Sequence, residues 1–109
     1  MVGEMVTEAD IRKAVGLILA AAPGSRVIVF GSQARGGAGA RSDLDLLVIE
    51  PQVHARREEM ARLADVLRPL RLPVDVVVVS QRTFDEWADT PGTLLYDAAR
   101  EGREYSEVA

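Results

Sequence analysis

Residues 27–49 decide the fold, and they read VIVFGSQARGGAGARSDLDLLVI. The apolar, β-branched run at 27–30 predicts a short buried strand that ends at Gly31-Ser32. A glycine-rich segment follows, and the apolar run at 44–49 predicts a second strand that carries one acid, Asp45. Two strands are therefore joined by a segment whose glycines let another molecule approach the backbone closely.

Two amphipathic helices flank these strands. Thr7 and Asp10 resemble a capping box, and the apolar residues that follow at helical spacing predict a first helix that Pro23 ends. After the second strand, apolar residues recur at helical spacing over 60–70, opposite a face of Arg and Glu. They predict a second long helix, which Pro69 ends.

A third apolar run, residues 74–79, predicts another buried strand that again carries one acid, Asp75. Helices that alternate with apolar strands predict an α/β (α+β) fold, with a small mixed sheet and helices packed on one face. The strand order stays open. With 109 residues the chain is expected to form a single domain, 1–109.

The tail beyond the third strand is predicted to be helical. Thr83 with Glu86 suggests a short capped turn. Thr90 as the N-cap, with Pro91 at the first helical position, predicts a final helix that Gly102 ends.

Composition excludes several classes of protein. The net charge of −4 argues against direct nucleic-acid binding, which depends on many Lys and Arg. The absence of cysteine excludes disulfides and thiolate metal sites. The first ten residues lack the features of a signal peptide, and no apolar run approaches the roughly 20 residues of a membrane span. We therefore expect a cytoplasmic protein with no membrane contact.

Three aspartates, Asp43, Asp45 and Asp75, are the candidate metal ligands. A buried ionised carboxylate is costly unless a cation compensates it, and two of these acids interrupt apolar strands. Asp43 and Asp45 are two residues apart, so on extended backbone both side chains point to one side. Hard oxygen ligands favour Mg²⁺, with Mn²⁺ as an alternative, and two such ions would support displacement at phosphorus.

The candidate phosphate site is Gly31-Ser32, directly after a strand. Glycine allows a close backbone approach, and the serine hydroxyl and neighbouring N–H groups can donate to phosphate oxygens. Arg35 could pair with a phosphate, although it could equally be a surface residue or a partner for Asp43. Phe84 and Trp87 are expected to cover the edge of the core.

These motifs together resemble the signature of polymerase-beta-like nucleotidyltransferases: GSQARG at 31–36, SDLDL at 42–46, and Asp75 in a valine-rich strand. The subgroup that the chain most resembles is the minimal nucleotidyltransferases, which consist of the catalytic core alone. The resemblance implies that Gly31 and Ser32 hold a nucleoside triphosphate and that Asp43 and Asp45 ligate two Mg²⁺ ions. It also implies that Asp75 completes the second metal site and helps to deprotonate the acceptor hydroxyl.

The resemblance also implies a partner. Many such relatives act with a HEPN-domain protein as a toxin-antitoxin pair and silence it by attaching AMP to a tyrosine. The implied function is transfer of AMP from Mg-ATP to a partner protein, while the oligomeric state, whether a homo- or hetero-oligomer, stays open. The alternative is an antitoxin module that binds nucleotide and neutralises its partner without catalysis, through a surface near Leu94, Leu95 and Tyr96.

Overall fold

A four-stranded mixed sheet forms the centre of the described part of the chain. The structure is a computed structural model that describes residues 6–30 and 44–106. The strands are β1 (Arg26–Phe30), β2 (Leu44–Glu50), β3 (Val74–Ser80) and β4 (Arg103–Ser106), in the order β3-β2-β1-β4. β1 is antiparallel to β2 and β4, whereas β2 and β3 are parallel. The fold class and the mixed sheet predicted from the sequence are confirmed.

The two long helices, α1 (Glu8–Ala21) and α2 (Arg56–Leu67), pack on one face of the sheet. Side chains alternate along each strand, so every second residue points to these helices. The resulting core contains Ile11, Ala14, Val15 and Ile18 from α1, Leu63 and Leu67 from α2, and Val27, Val29, Leu44, Leu46, Val48 and Val78 from the sheet. This face is the one that the sequence analysis expected helices to cover.

Two shorter helices, α3 (Gln81–Trp87) and α4 (Leu94–Glu101), pack on the opposite face. The buried residues of this second core are Ile28, Leu47, Ile49, Val79, Phe84, Leu95 and Ala98. The expectation of helices on one face therefore holds only for the long helices. Because both faces of the central strands are apolar, the second face also needs a cover, and the tail of the chain supplies it.

Both ends of α1 agree with the sequence signals. The backbone N–H of Thr7 donates to the Asp10 carboxylate, and the N–H of Asp10 donates to the Thr7 hydroxyl, each over 3.1 Å. This capping box is the predicted one, and α1 ends two residues before Pro23.

No helix within residues 6–30 and 44–106 combines the length and apolarity that a bilayer crossing demands.

The caps of α3 and α4 differ from those predicted. Ser80, rather than Thr83, caps α3 and accepts from a backbone N–H of the first turn over 3.1 Å. Thr93, rather than Thr90, caps α4. The physical reason is Gly92, whose φ of 88° cannot occur inside a helix, so α4 begins after it.

The last strand, β4, was not predicted. Gly102 ends α4 as expected, but the chain then pairs with β1 instead of ending as a helical tail. Only Tyr105 among the β4 residues packs against the core, and the other three are exposed. A four-residue strand with this pattern shows no alternation of apolar and polar residues, and hence no local signal.

Candidate active site

Asp45 and Asp75 lie side by side in the folded chain. They are register partners on the parallel strands β2 and β3. Side chains aligned in this way point to the same face of the sheet, and neighbouring strands are roughly 4.8 Å apart. The tertiary structure thus brings together two acids that are distant in the sequence, on one face of two neighbouring strands.

Among the described residues, the cover over the sheet face that carries these acids is uneven. Alternate residues of β2 and β3 pack under α1 and α2, so the side chains of Asp45 and Asp75 point to the other face. On that face Val79 is buried, Val77 is half-buried and Asp75 is exposed. The cover by α3 and α4 therefore decreases along β3 toward Asp75.

The two acids differ in burial. Asp45 is half-buried on an inner strand, whereas Asp75 is exposed on the edge strand β3. Burial therefore does not explain an acid at position 75, because water reaches Asp75. The beginning of the edge strand β3 is less buried than its end, which the valine-rich sequence around Asp75 did not reveal.

The other predicted site residues lie outside the described residues: Gly31, Ser32, Arg35 and Asp43. The described residues on either side of this segment are Phe30 and Leu44, and Phe30 is the register partner of Asp45. Both therefore lie at the end of the sheet that carries the acids. Sequence reasoning did not select Phe30, although its place directly before Gly31 puts it next to the candidate site.

A complete metal site needs a ligand beyond these two acids. Among residues 6–30 and 44–106, no three His, Cys, Asp or Glu side chains cluster in a way that could hold a metal ion. The predicted third ligand, Asp43, is not among those residues. The ligand set of Asp43, Asp45 and Asp75 therefore stays a prediction, of which the structure describes the Asp45 and Asp75 positions.

The apolar tail residues separate into core and surface. Phe84 and Leu95 are buried in the second core, at 8% exposure each. Trp87 and Leu94 are 48% and 45% exposed. The exposed apolar residues of the tail are thus Trp87 and Leu94, and Leu95 does not belong to the surface suggested from the sequence.

A polar cluster on the sheet face that carries Asp45 and Asp75 was not predicted from the sequence. Arg26 donates from Nε and Nη2 to the two carboxylate oxygens of Glu104, over 2.6 and 3.0 Å, and from Nη1 to Gln81 over 3.0 Å. Its guanidinium lies 5.2 Å from the centre of the Phe84 ring. Arg26 and Glu104 are 78 residues apart, so no local pattern indicates their contact. The cluster ties β1, β4 and α3 together.

Comparison with known proteins identifies the family to which this fold belongs. Residues 11–104 match the family model of the nucleotidyltransferase domain. A solved structure of a candidate minimal nucleotidyltransferase is 31% identical, with a TM-score of 0.59, and the match covers 93% of this chain and 97% of that one. A candidate nucleotidyltransferase from Sulfolobus solfataricus is 24% identical, with a TM-score of 0.55, over 70% and 68% of the two chains. No curated protein matches significantly.

The chain belongs to the nucleotidyltransferase domain family. The family match runs from α1 to the beginning of β4 and includes both Asp45 and Asp75. The likeness to the Sulfolobus protein supports the fold, and the likeness to the minimal nucleotidyltransferase extends over nearly the full length of both chains. The resemblance inferred from the sequence is confirmed at the level of the family, which implies transferase chemistry.

Proposed function

We propose that this protein binds Mg-ATP and transfers AMP to a hydroxyl group of a partner protein. The observation that carries the proposal is the alignment of Asp45 with Asp75 on one sheet face, inside a nucleotidyltransferase domain. Two carboxylates at this spacing attract divalent cations, and a cation-loaded site attracts a triphosphate despite the net charge of −4.

The described donor set fits magnesium. Carboxylate oxygens are the hard ligands that Mg²⁺ prefers, and they suit Mn²⁺ as well. Asp43 is proposed as the further ligand, and Gly31, Ser32 and Arg35 as the groups that hold the triphosphate. When bound, the two metal ions would neutralise the phosphate charge and favour in-line displacement at phosphorus.

The proposed reaction is a single displacement. The acceptor hydroxyl oxygen forms a bond to the α-phosphorus of ATP, the bond between that phosphorus and the bridging oxygen to the β-phosphorus breaks, and pyrophosphate leaves. Asp75 accepts the hydroxyl proton as the general base. Its exposure on the edge strand allows a large acceptor to reach it.

The proposed acceptor is a tyrosine hydroxyl of a HEPN-domain partner, which would make this protein the antitoxin of a pair. Two features support a protein acceptor. Asp75 is exposed, and Trp87 and Leu94 are large apolar side chains exposed on the helices of that same sheet face. Aromatic side chains of this kind are common anchors in protein interfaces.

The test is transfer of label from ATP labelled at its α-phosphate. The purified protein is incubated with Mg²⁺ and the protein encoded by the neighbouring gene, and the acceptor is then examined for label. Asp75→Asn and Asp45→Asn should each lower the rate roughly hundredfold or more, because each removes a carboxylate from the site. Asp75 is exposed, so its amide variant should keep the fold.

The matched control is Asp65→Asn on α2. Asp65 is an exposed acid that pairs with Arg68, and its loss should leave the transfer rate unchanged. Equal rates in the wild type, Asp45→Asn and Asp75→Asn would contradict the proposal.

A second candidate function is neutralisation by binding alone, with nucleotide as a regulatory ligand. The exposure of Trp87 and Leu94 favours it, because it needs only an interface. In the same experiment it predicts a stable complex without label, unaffected by Asp75→Asn and weakened by Trp87→Ala. Labelled acceptor that disappears in Asp75→Asn would contradict this alternative.

A further inference from the structure

A cavity of about 330 Å³ lies between the end of β2, the following loop and the beginning of α2. Its wall includes Glu50 from β2 and Glu59 and Arg62 from α2. It lies on the side of the sheet covered by α1 and α2, at the opposite end of β2 from Asp45. These residues are therefore separate from the candidate active site.

The carboxyl groups of Glu50 and Glu59 lie against each other in this wall, at a range where a hydrogen bond can join them. An ionised carboxylate has no proton to donate, so such a bond exists only while one of the two groups is protonated. The second oxygen of Glu50, Oε2, is buried and has no hydrogen-bond partner among the described residues. An ionised Glu50 would therefore place charge on an oxygen that neither water nor a donor reaches, which identifies Glu50 as the protonated member.

Arg62 keeps Glu59 ionised and links the pair to α1. Its Nε and Nη2 donate to the two oxygens of Glu59 over 3.0 and 2.6 Å, and its Nη1 donates to the carbonyl of Ala21 over 3.0 Å. Ala21 is the last residue of α1, where backbone carbonyls lack helical partners. One chain of contacts thus runs from β2 through α2 to the end of α1.

We propose that the Glu50–Glu59 pair holds α2 against the end of β2 while it retains its proton, and that this contact weakens as the pH rises. Loss of the proton leaves two carboxylates facing each other in a half-buried cavity. The single positive charge of Arg62 is already engaged by Glu59, so it offers limited compensation to Glu50.

The groups around the Glu50–Glu59 pair determine whether the stability of the protein rises or falls with pH. The other titratable groups of the cavity wall are His54 from the loop and Glu58 from α2, while β3 presents Ser80 beside Glu50 and α1 presents the Ala21 carbonyl.

Burial and then the Glu59 carboxylate raise the pKa of Glu50 to about 7. The hydrogen bond from Arg62 lowers the pKa of Glu59. Because folding raises the pKa of Glu50, protonated Glu50 contributes fully to stability below its ordinary pKa near 4.5. This contribution is lost as the pH rises through about 7.

The test compares the unfolding of the wild type and Glu50→Gln by urea between about pH 5 and about pH 8. The glutamine amide donates to Glu59 at every pH, so the variant mimics the protonated state. The wild-type folding constant should fall with pH, by up to about tenfold per unit, relative to that of Glu50→Gln. Glu58→Gln removes a carboxylate from the same wall but leaves the pair intact, and it should follow the wild type.

Two outcomes would overturn the proposal. One is parallel pH dependence of stability in the wild type and Glu50→Gln. The other is a carboxyl carbon of Glu50 that titrates near 4.5 in a carbon-13 NMR experiment on the wild-type protein. The NMR measurement needs no variant, so it remains decisive if Glu50→Gln folds poorly.

Discussion

At the residue scale, Gly102 occupies a position that admits no side chain. A Cβ there would lie 2.3 Å from Cγ2 of Ile28, 2.6 Å from the carbonyl oxygen of Ala98 and 2.9 Å from that of Val29. Two of these atoms belong to the backbone and cannot turn away as a side chain could. The close approach is what lets the chain leave α4 and pair with β1 immediately.

Gly102→Ala should therefore lower the free energy of unfolding by roughly 1–3 kcal/mol, as overpacking of a core does. The matched control is Gly16→Ala, at an exposed position inside α1 where a Cβ would meet nothing within 4 Å. That change should raise the free energy of unfolding by about 0.5–1 kcal/mol, because alanine favours helix. Urea unfolding of both variants measures the contrast, and a stabilising Gly102→Ala would refute the steric argument.

At the element scale, the start of α4 depends on one hydroxyl. Thr93 accepts from the N–H of Tyr96 over 3.2 Å and donates to the carbonyl of Thr90 over 2.8 Å. It therefore caps the helix and also anchors the preceding turn. α4 supplies Leu95 and Ala98 to the second core, so its register over the sheet depends on where it begins.

Thr93→Ala should destabilise the protein by about 0.5–2 kcal/mol, as the loss of an N-cap does. Thr90→Ala is the paired control, since Thr90 is the cap that the sequence favours and the structure does not use; its effect should stay within about 0.5 kcal/mol. Thermal unfolding of the two variants distinguishes them. The reverse order of effects would mean that α4 begins at Pro91.

At the scale of the whole molecule, the Arg26–Glu104 pair joins the first strand to the last. The hydrogen bond from Arg26 lowers the pKa of Glu104. A lowered carboxyl pKa adds stability above the ordinary value of 4.5, and that stability is lost as the pH falls through the folded pKa. Both side chains are partly exposed, at 31% and 43%, so solvent limits the effect.

Glu104→Gln should therefore reduce the free energy of unfolding by roughly 0.5–1 kcal/mol at neutral pH, and by less at about pH 3. The measurement is urea unfolding of the wild type and the variant at both pH values. Glu86→Gln, which removes an exposed partner of Arg82 within α3, serves as the control and should have little effect at either pH. A difference between wild type and Glu104→Gln that grows in acid would contradict the assignment.

The sequence by itself determined the elements that carry a strong periodic signal. The strands at residues 27–30, 44–49 and 74–79 and the two long helices lie where apolar spacing predicted them, because burial imposes that spacing on any chain. The aspartates at positions 45 and 75 stood out for the same reason, as acids inside apolar runs. The protein family of the chain was also indicated by these local motifs.

The tertiary structure alone decided which distant residues meet. The parallel register of β2 and β3 places Asp45 beside Asp75, and the edge position of β3 leaves Asp75 exposed. β4, the contact between Glu50 and Glu59, and the Arg26–Glu104 pair likewise arise from contacts between separate elements. A local pattern reports the burial of a residue within its own helix or strand. Pairing partners are selected by the packing of the whole chain, which no window of sequence contains.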